Sequence, residues 1–148
     1  EWVPTTLRAE HPEWSEAEID QERRRYWAKG APSSEEVDPL SPPPHATGGV
    51  VDLSLRFLGS GELLFMGSPF DAIDESSYAD HLERLSVVRT LLEREEEALR
   101  NRRLLFWTMN EVGLVGNPNE WWHYGYGDQL SSILSGVENA VYSKMDII

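Results

Sequence analysis

The longest regular signal in this chain is a charged, helically patterned stretch over about residues 82–112, and nothing else in the sequence repeats it. Leu85, Val88, Leu92, Leu99, Leu104 and Trp107 recur at helical spacings, charges fill the remaining positions, and Gly113 supplies a stop. A break is expected near the Glu95-Glu96-Glu97 run, which reads as exposed face. Short strand-like runs flank this segment. Residues 50–58 are β-branched and apolar, Gly59-Ser60-Gly61 turns them into a second run over 62–66, and the two read as a β-hairpin. Residues 121–126 are aromatic enough for a strand, entered from the turn Gly116-Asn117-Pro118-Asn119. Strands and helices do not alternate in a βαβ rhythm. The expected class is therefore α+β, with a small central antiparallel sheet flanked by helices.

The remaining segments support that frame. Ser15-Glu16-Ala17-Glu18 reads as a capping box opening a helix through Tyr26 and Trp27, with Gly30 as its stop. Arg23-Arg24-Arg25 falls late in that helix, where cations suit the negative end of the dipole, and reads as a solvated turn. Residues 31–44 turn to Pro, Ser and acid and end in Ser41-Pro42-Pro43-Pro44, an extended loop that delivers the chain to a fixed place. Residues 67–78 read as a structured loop. After Gly127 the pattern gives a short helix near Ile133 and a strand near Val141. At 148 residues the chain suits a single domain, 1–148, able to bury a core without disulfide or metal.

Composition narrows the function. A formal net charge of -13 repels phosphate backbones and anionic lipid, so neither nucleic acid nor a membrane surface is an expected partner. No apolar run approaches spanning length. The expected compartment is the cytoplasm, with the periplasm as the alternative. Cysteine is absent, which excludes thiolate zinc sites and cysteine nucleophiles. Any metal site must be built from His and carboxylate.

Two places offer that chemistry. His45 is followed by Thr47-Gly48-Gly49 and then by Asp52 in the apolar run Val50-Val51-Asp52-Leu53, where a carboxylate is expensive unless paired or bound to a cation. Glu120 and His123 stand in Glu120-Trp121-Trp122-His123, again among large apolar groups. Two His and one Asp supply three N/O ligands and leave a fourth position open, as a catalytic zinc site requires. Residues three apart diverge on a regular strand. Glu120 is therefore expected at the irregular entrance and His123 inside the strand, with Trp121 on the face of His123, and Trp122 and Tyr124 on the other. A Glu beside the metal, not on it, can accept a proton from activated water. The spacing is not the helical H-E-x-x-H arrangement. His11 and His81 read as surface residues, and Trp121, Trp122, Tyr124 and Tyr126 as core.

These residues resemble a known family. Pro44-His45-Ala46-Thr47-Gly48-Gly49-Val50-Val51-Asp52-Leu53 is similar to the H-x-x-G-x-A-x-D segment of the zinc D-alanyl-D-alanine dipeptidases, the VanX-type enzymes. Met66-Gly67-Ser68-Pro69-Phe70-Asp71 resembles their M-G-x-x-F-D loop. Asn101-Arg102-Arg103-Leu104-Leu105 and Asn119-Glu120-Trp121-Trp122-His123-Tyr124 resemble their closing helix and E-W-W-H motif. The blocks run in order from about His45 to Asp128. The resemblance implies the small α+β fold of the DD-peptidase and hedgehog-like zinc proteins. It implies zinc held by His45, Asp52 and His123, Glu120 as general base and then acid, and Asp71 holding the ammonium of a free dipeptide. The implied activity is hydrolysis of D-Ala-D-Ala in cell-wall precursor metabolism of the glycopeptide-resistance type, with the small dipeptide as partner.

Two departures qualify it. The family's oxyanion Arg lies in a Y-R-P motif upstream of the first His, and that position counts back to Glu1 or before it. Arg8, Arg23, Arg24 and Arg25 stand in the wrong context. The expectation is a C-terminal portion of the family's catalytic domain, with the Arg coming from a segment upstream or from a second chain. Pro43 and Val50 stand where the family often has Ser and usually Ala. Two alternatives follow: a D,D-carboxypeptidase or other cell-wall peptidase on the same site, and a zinc-binding domain with weak or no catalysis. The Met66–Asp71 block favours the dipeptidase.

Overall fold

The computed structural model describes residues 2–26 and 42–145, which fall into two compact units, 1–37 and 38–148. In the first unit α1 (Trp2–Glu10) is followed by α2 (Glu16–Tyr26). Only α2 was expected from the sequence. Its capping box forms as read: the Glu18 carboxylate accepts from the Ser15 amide at 2.8 Å and hydroxyl at 2.7 Å. Among the described residues of this unit, Leu7 and Ile19 are the buried apolar side chains. The exposed Arg8–Glu16 pair, at 2.6 Å, adds little to stability. The Arg23-Arg24-Arg25 side chains, Trp27, Gly30 and most of the proline-rich stretch lie outside the described residues.

The second unit is α+β, as expected. Its sheet comprises β1 (Val50–Asp52), β2 (Val115–Gly116) and β3 (His123–Gly125), all antiparallel, in the order β1-β3-β2. The hairpin expected from residues 50–66 is largely replaced. Its Gly-Ser-Gly turn forms, but the arms meet in a single bridge, Arg56 with Leu63, and β1 pairs instead with β3. The physical reason lies across the sheet. The buried 121–125 backbone offers β1 a partner in the core, whereas Phe57, Leu58 and Leu63 of the hairpin arms stay exposed.

The long helical segment is two helices, α3 (His81–Val88) and α4 (Glu93–Glu111), broken before the expected acidic run. Arg89 is extended, and Glu95 closes the restart by accepting from the Leu92 amide at 2.8 Å and from Arg89 at 2.6 and 2.8 Å. These bonds hold the Glu95 carboxyl down at about 2. The buried stripe of α4 is Ala98, Arg102 and Leu105. Leu104 and Trp107 face out, at 55% and 67% exposure, so the face differs from the one the apolar pattern indicated. Ala and Arg are invisible to a hydrophobicity pattern, yet Ala98 gives the room in which Gly67 approaches (a Cβ there would meet Ala98 at 3.2 Å).

The core joins Met66, Leu105, Trp121, Trp122 and Tyr124, with Leu53, Leu55 and Leu64 packed against it. Three aromatic residues thus take the core role expected of them, while Tyr126 is 55% exposed. Trp121 and Trp122 do not alternate across the sheet. Both lie in the turn before β3, and both pack on Phe70 at ring centroid distances of 5.2 and 5.6 Å. Past β3, α5 (Gln129–Ser135) forms near Ile133 as expected, capped by Asp128. The strand expected near Val141 does not form. The amides of Val141 and Tyr142 both donate to the Gly127 carbonyl, which closes a turn and leaves no ladder. Among the described residues no helix is long and apolar enough to cross a membrane.

Candidate metal centre

His45 sits on a 3-10 turn, Pro44–Thr47, whose proline favours the first position. The turn is closed by the Thr47 hydroxyl, which donates to the Pro44 carbonyl at 2.6 Å, and ends on Gly48 at φ 71°. Gly49 then passes under Tyr126. Its carbonyl accepts from the Tyr126 amide at 2.8 Å, and a Cβ on Gly49 would lie 2.5 Å from the Tyr126 carbonyl oxygen. Backbone cannot yield at that distance. Gly49→Ala is expected to destabilise the protein by about 1–3 kcal/mol, read as a lower urea midpoint at unchanged slope.

The register of β1 on β3 places Asp52 opposite His123, so the two side chains are cross-strand neighbours on one face. His45 reaches the same point from its turn: Nε2 lies 3.2 Å from Asp52 Oδ2, and the His45 and His123 rings are 4.9 Å apart. One ligand atom each from His45, Asp52 and His123 lies within 4.8 Å of the others. Glu120 stands just before β3, at the irregular entrance where the strand geometry requires it. Its Oε2 is 3.2 Å from His123 Nδ1 and accepts from Asn117 Nδ2 at 3.1 Å.

The chemistry of this cluster fits a divalent cation. Both ring nitrogens of His123 are buried without a hydrogen-bond partner, although Nδ1 lies 3.1 Å from Asp52 Oδ1. That contact is close but lacks hydrogen-bond geometry, which leaves both buried nitrogens unsatisfied. Ligands around a tetrahedral zinc sit about 3.4 Å apart, close to the separations seen here. His123 is 5% exposed, whereas the His45 side chain is 52% exposed, which leaves the cluster open on one side.

Electrostatics sets Glu120 apart. Burial pushes its carboxyl up, with Asp52 and Asp71 adding to the rise, against the opposing effects of His123 and the Asn117 hydrogen bond. Asp71 is also raised, by burial and then by Asp52, with His45 opposing, so it lies within electrostatic reach of the cluster. Asp71 takes φ 56°, the one non-glycine in the left-handed region among the described residues. His81 is not part of this cluster, and His11 belongs to the other unit. Each is half-buried; His11 stacks on Trp14 at 3.8 Å and His81 opens α3.

Sequence reasoning missed two residues that organise the site. Asn117 orients Glu120, and its place in an Asn-Pro-Asn turn was the available signal. Arg102 is buried at 5% exposure; it leaves no mark in an apolar pattern, and the available signal was its place in the Asn101–Leu105 block. A cavity of about 540 Å³ is lined by Arg102, Arg103, Phe106, Trp107, Trp121 and Tyr124 among others, but by none of the ligand cluster.

An Asp and a His paired across a small antiparallel sheet and a second His on the adjoining turn, with a raised Glu beside them, form a cluster that could hold a divalent metal ion. The family can be stated more narrowly. The D-ala-D-ala dipeptidase family matches residues 15–144, and the chain belongs to it. It is 34% identical over 94 residues to a D-alanyl-D-alanine dipeptidase of Synechocystis sp., covering 63% of this chain and 38% of the relative. Against the D-alanyl-D-alanine dipeptidase of Enterococcus faecalis it is 35% identical over 85 residues, 57% of this chain and 37% of that one. Against that of Escherichia coli it is 40% identical over 80 residues, 54% and 36%. The matched region thus spans little more than a third of the length of these relatives.

Proposed function

We propose that this chain carries zinc-dependent hydrolysis of the free dipeptide D-Ala-D-Ala, in the metabolism of cell-wall precursors and of the glycopeptide-resistance type. The convergence of His45, Asp52 and His123 beside Glu120 is the observation that carries this reading, and the names of the relatives supply the substrate. In it His45, Asp52 and His123 are the ligands. When bound, the ion supplies a Lewis acid that polarises the scissile carbonyl and makes water acidic enough to ionise near neutral pH.

The chain's own residues do the rest. Glu120 Oε2, oriented by Asn117, takes the proton from the attacking water, and its raised affinity for that proton suits the task. The same carboxyl then gives the proton to the leaving amine. Asp71 faces the substrate's ammonium. A cation there offsets the repulsion that Asp71 feels from Asp52, and only a substrate with a free amino end provides one. A longer peptide lacks that charge at the same place.

The assay sets D-Ala-D-Ala against a pentapeptide ending in D-Ala-D-Ala, with zinc-loaded protein. Release of free D-Ala from the dipeptide, with the pentapeptide left intact, is the expected result. Release of terminal D-Ala from the pentapeptide without dipeptide cleavage would make the chain a carboxypeptidase. Zinc binding with neither reaction would leave it a metal-binding domain.

A further inference from the structure

The segment that carries Asp71 is held from behind by one side chain. Arg102 donates from Nε to the Met66 carbonyl at 2.6 Å, from Nη1 to the Tyr78 carbonyl at 2.9 Å, and from Nη2 to the Ser76 carbonyl at 2.8 Å and Ser68 Oγ at 3.2 Å. Its guanidinium also lies 5.4 Å from the centre of the Trp121 ring. These acceptors stand at both ends of the 66–78 loop, so one rigid fork closes the loop upon itself.

Packing alone does not call for this arrangement. Burying a cation is costly unless its donors are met, and here four acceptors meet them. What the guanidinium adds is orientation, because its five donors lie in one plane in fixed directions. Ser68 extends the fork: its Oγ also accepts from Trp121 Nε1 at 2.9 Å, beside Glu120 in sequence. At the far end the Ser77 hydroxyl donates to the Asn119 carbonyl at 3.0 Å, and the Trp121 amide donates to the Ser77 carbonyl at 2.9 Å. The loop is thereby fastened to the turn that presents Glu120. Asp71 sits in the middle of the loop, beside Phe70, in a left-handed conformation that few residues other than Gly, Asn and Asp adopt.

We propose that Arg102 is a positioning residue that holds Asp71 toward the His45, Asp52 and His123 cluster and so sets the preference for a substrate with a free ammonium. The inference deepens the dipeptidase reading and rests on it. Arg102 touches neither substrate nor metal. It acts on KM and specificity through the loop, and the chemical step belongs to Glu120.

The test uses the full chain with Arg102→Met, Arg102→Lys and Ser68→Ala, read by amide hydrogen exchange and by kinetics on D-Ala-D-Ala and its N-acetyl derivative. In Arg102→Met the amides of residues 67–78 should exchange roughly tenfold faster or more, while those of β3 and α5 hold their rates. Zinc content should stay at the wild-type value. KM for the free dipeptide should rise by about tenfold with kcat little changed, and the preference over the acetylated form should fall by a similar factor. Lysine restores charge without the fork and should recover only part of this. Ser68→Ala removes one acceptor and should give a smaller change of the same pattern, which keeps the test open if Arg102→Met does not fold. Exchange that accelerates evenly through the whole unit, or a loosened loop with unchanged KM and specificity, would overturn the proposal. If the unaltered chain cleaves neither compound, the dipeptidase reading fails, and the exchange data alone decide whether Arg102 holds the loop.

Discussion

Glu120→Gln is expected to leave zinc bound at the wild-type stoichiometry and to lower kcat by at least about a thousandfold. General acid–base groups contribute roughly 10²–10⁴ in rate, and Glu120 is assigned both transfers, so the upper part of that range applies. The substitution is nearly isosteric, and the Gln carbonyl oxygen still accepts from Asn117, which leaves the turn intact. A second readout separates a catalytic group from a structural one. Glu120 binds its proton more tightly in the folded chain than in the unfolded one, chiefly because it is buried. Its contribution to metal-free stability is therefore present below the unfolded carboxyl value and is lost as pH rises through the folded value. At neutral pH the metal-free Gln variant should melt above the wild type, since it removes a buried charge that folding disfavours. Loss of activity together with a gain in stability marks a residue kept for chemistry. Activity within tenfold of wild type would remove Glu120 from the mechanism.

His45→Ala is expected to weaken zinc by more than about a hundredfold, beyond the roughly 10–100-fold lost when an outer partner of a ligand is removed. The side chain is half exposed and contributes no core packing, so the metal-free variant should unfold at the wild-type midpoint. Only the rise in midpoint on adding zinc should disappear, because the stabilisation a ligand gives grows with the logarithm of its concentration over its dissociation constant. Elemental analysis of purified protein and melting with and without chelator measure both quantities. His123→Ala should lose the metal as well, but with a lower midpoint even in chelator, since that ring is 5% exposed. Retention of zinc by His45→Ala would displace His45 from the ligand set.

The ligand cluster was legible because its parts are local. A His on a proline-led turn, an Asp in an apolar run and a His in an aromatic strand each look out of place within a few residues, and the absence of cysteine left them as the available ligands. What joins them is the antiparallel register of β1 on β3, which no short window contains. The same limit explains the misplaced hairpin. Residues 50–66 have the right alternation and turn, but strand pairing is settled by which backbone offers a buried partner. The inward face of α4 was misread for a different reason: its buried members are an alanine chosen for smallness and an arginine chosen for its donors. Pattern arguments count apolar side chains, and neither residue registers. The start of α2 at Ser15 and Glu18 and the stop of α4 at Gly113, each set within a turn of the chain, were legible; α1 and the restart of α4 at Leu92 were not.

The end of the described chain bears on the site in a way that its exposure conceals. Residues after α5 return to the His45 turn: the Met145 amide donates to the Ala46 carbonyl at 2.8 Å, and Met145 and Tyr142 lie where side chains on Gly48 and Gly49 would stand. The turn presenting His45 is thus clasped between Tyr126 and a distant segment, residues 142–145, that supplies none of the three candidate ligands. Ordering of the His45 backbone is completed when the chain folds, so capture of an ion requires little further loss of freedom. By reciprocity, whatever an ion gains from that readiness it returns as resistance to fraying of the last residues. The tail and a bound ion would be thermodynamic neighbours, coupled through the four-residue turn Pro44–Thr47.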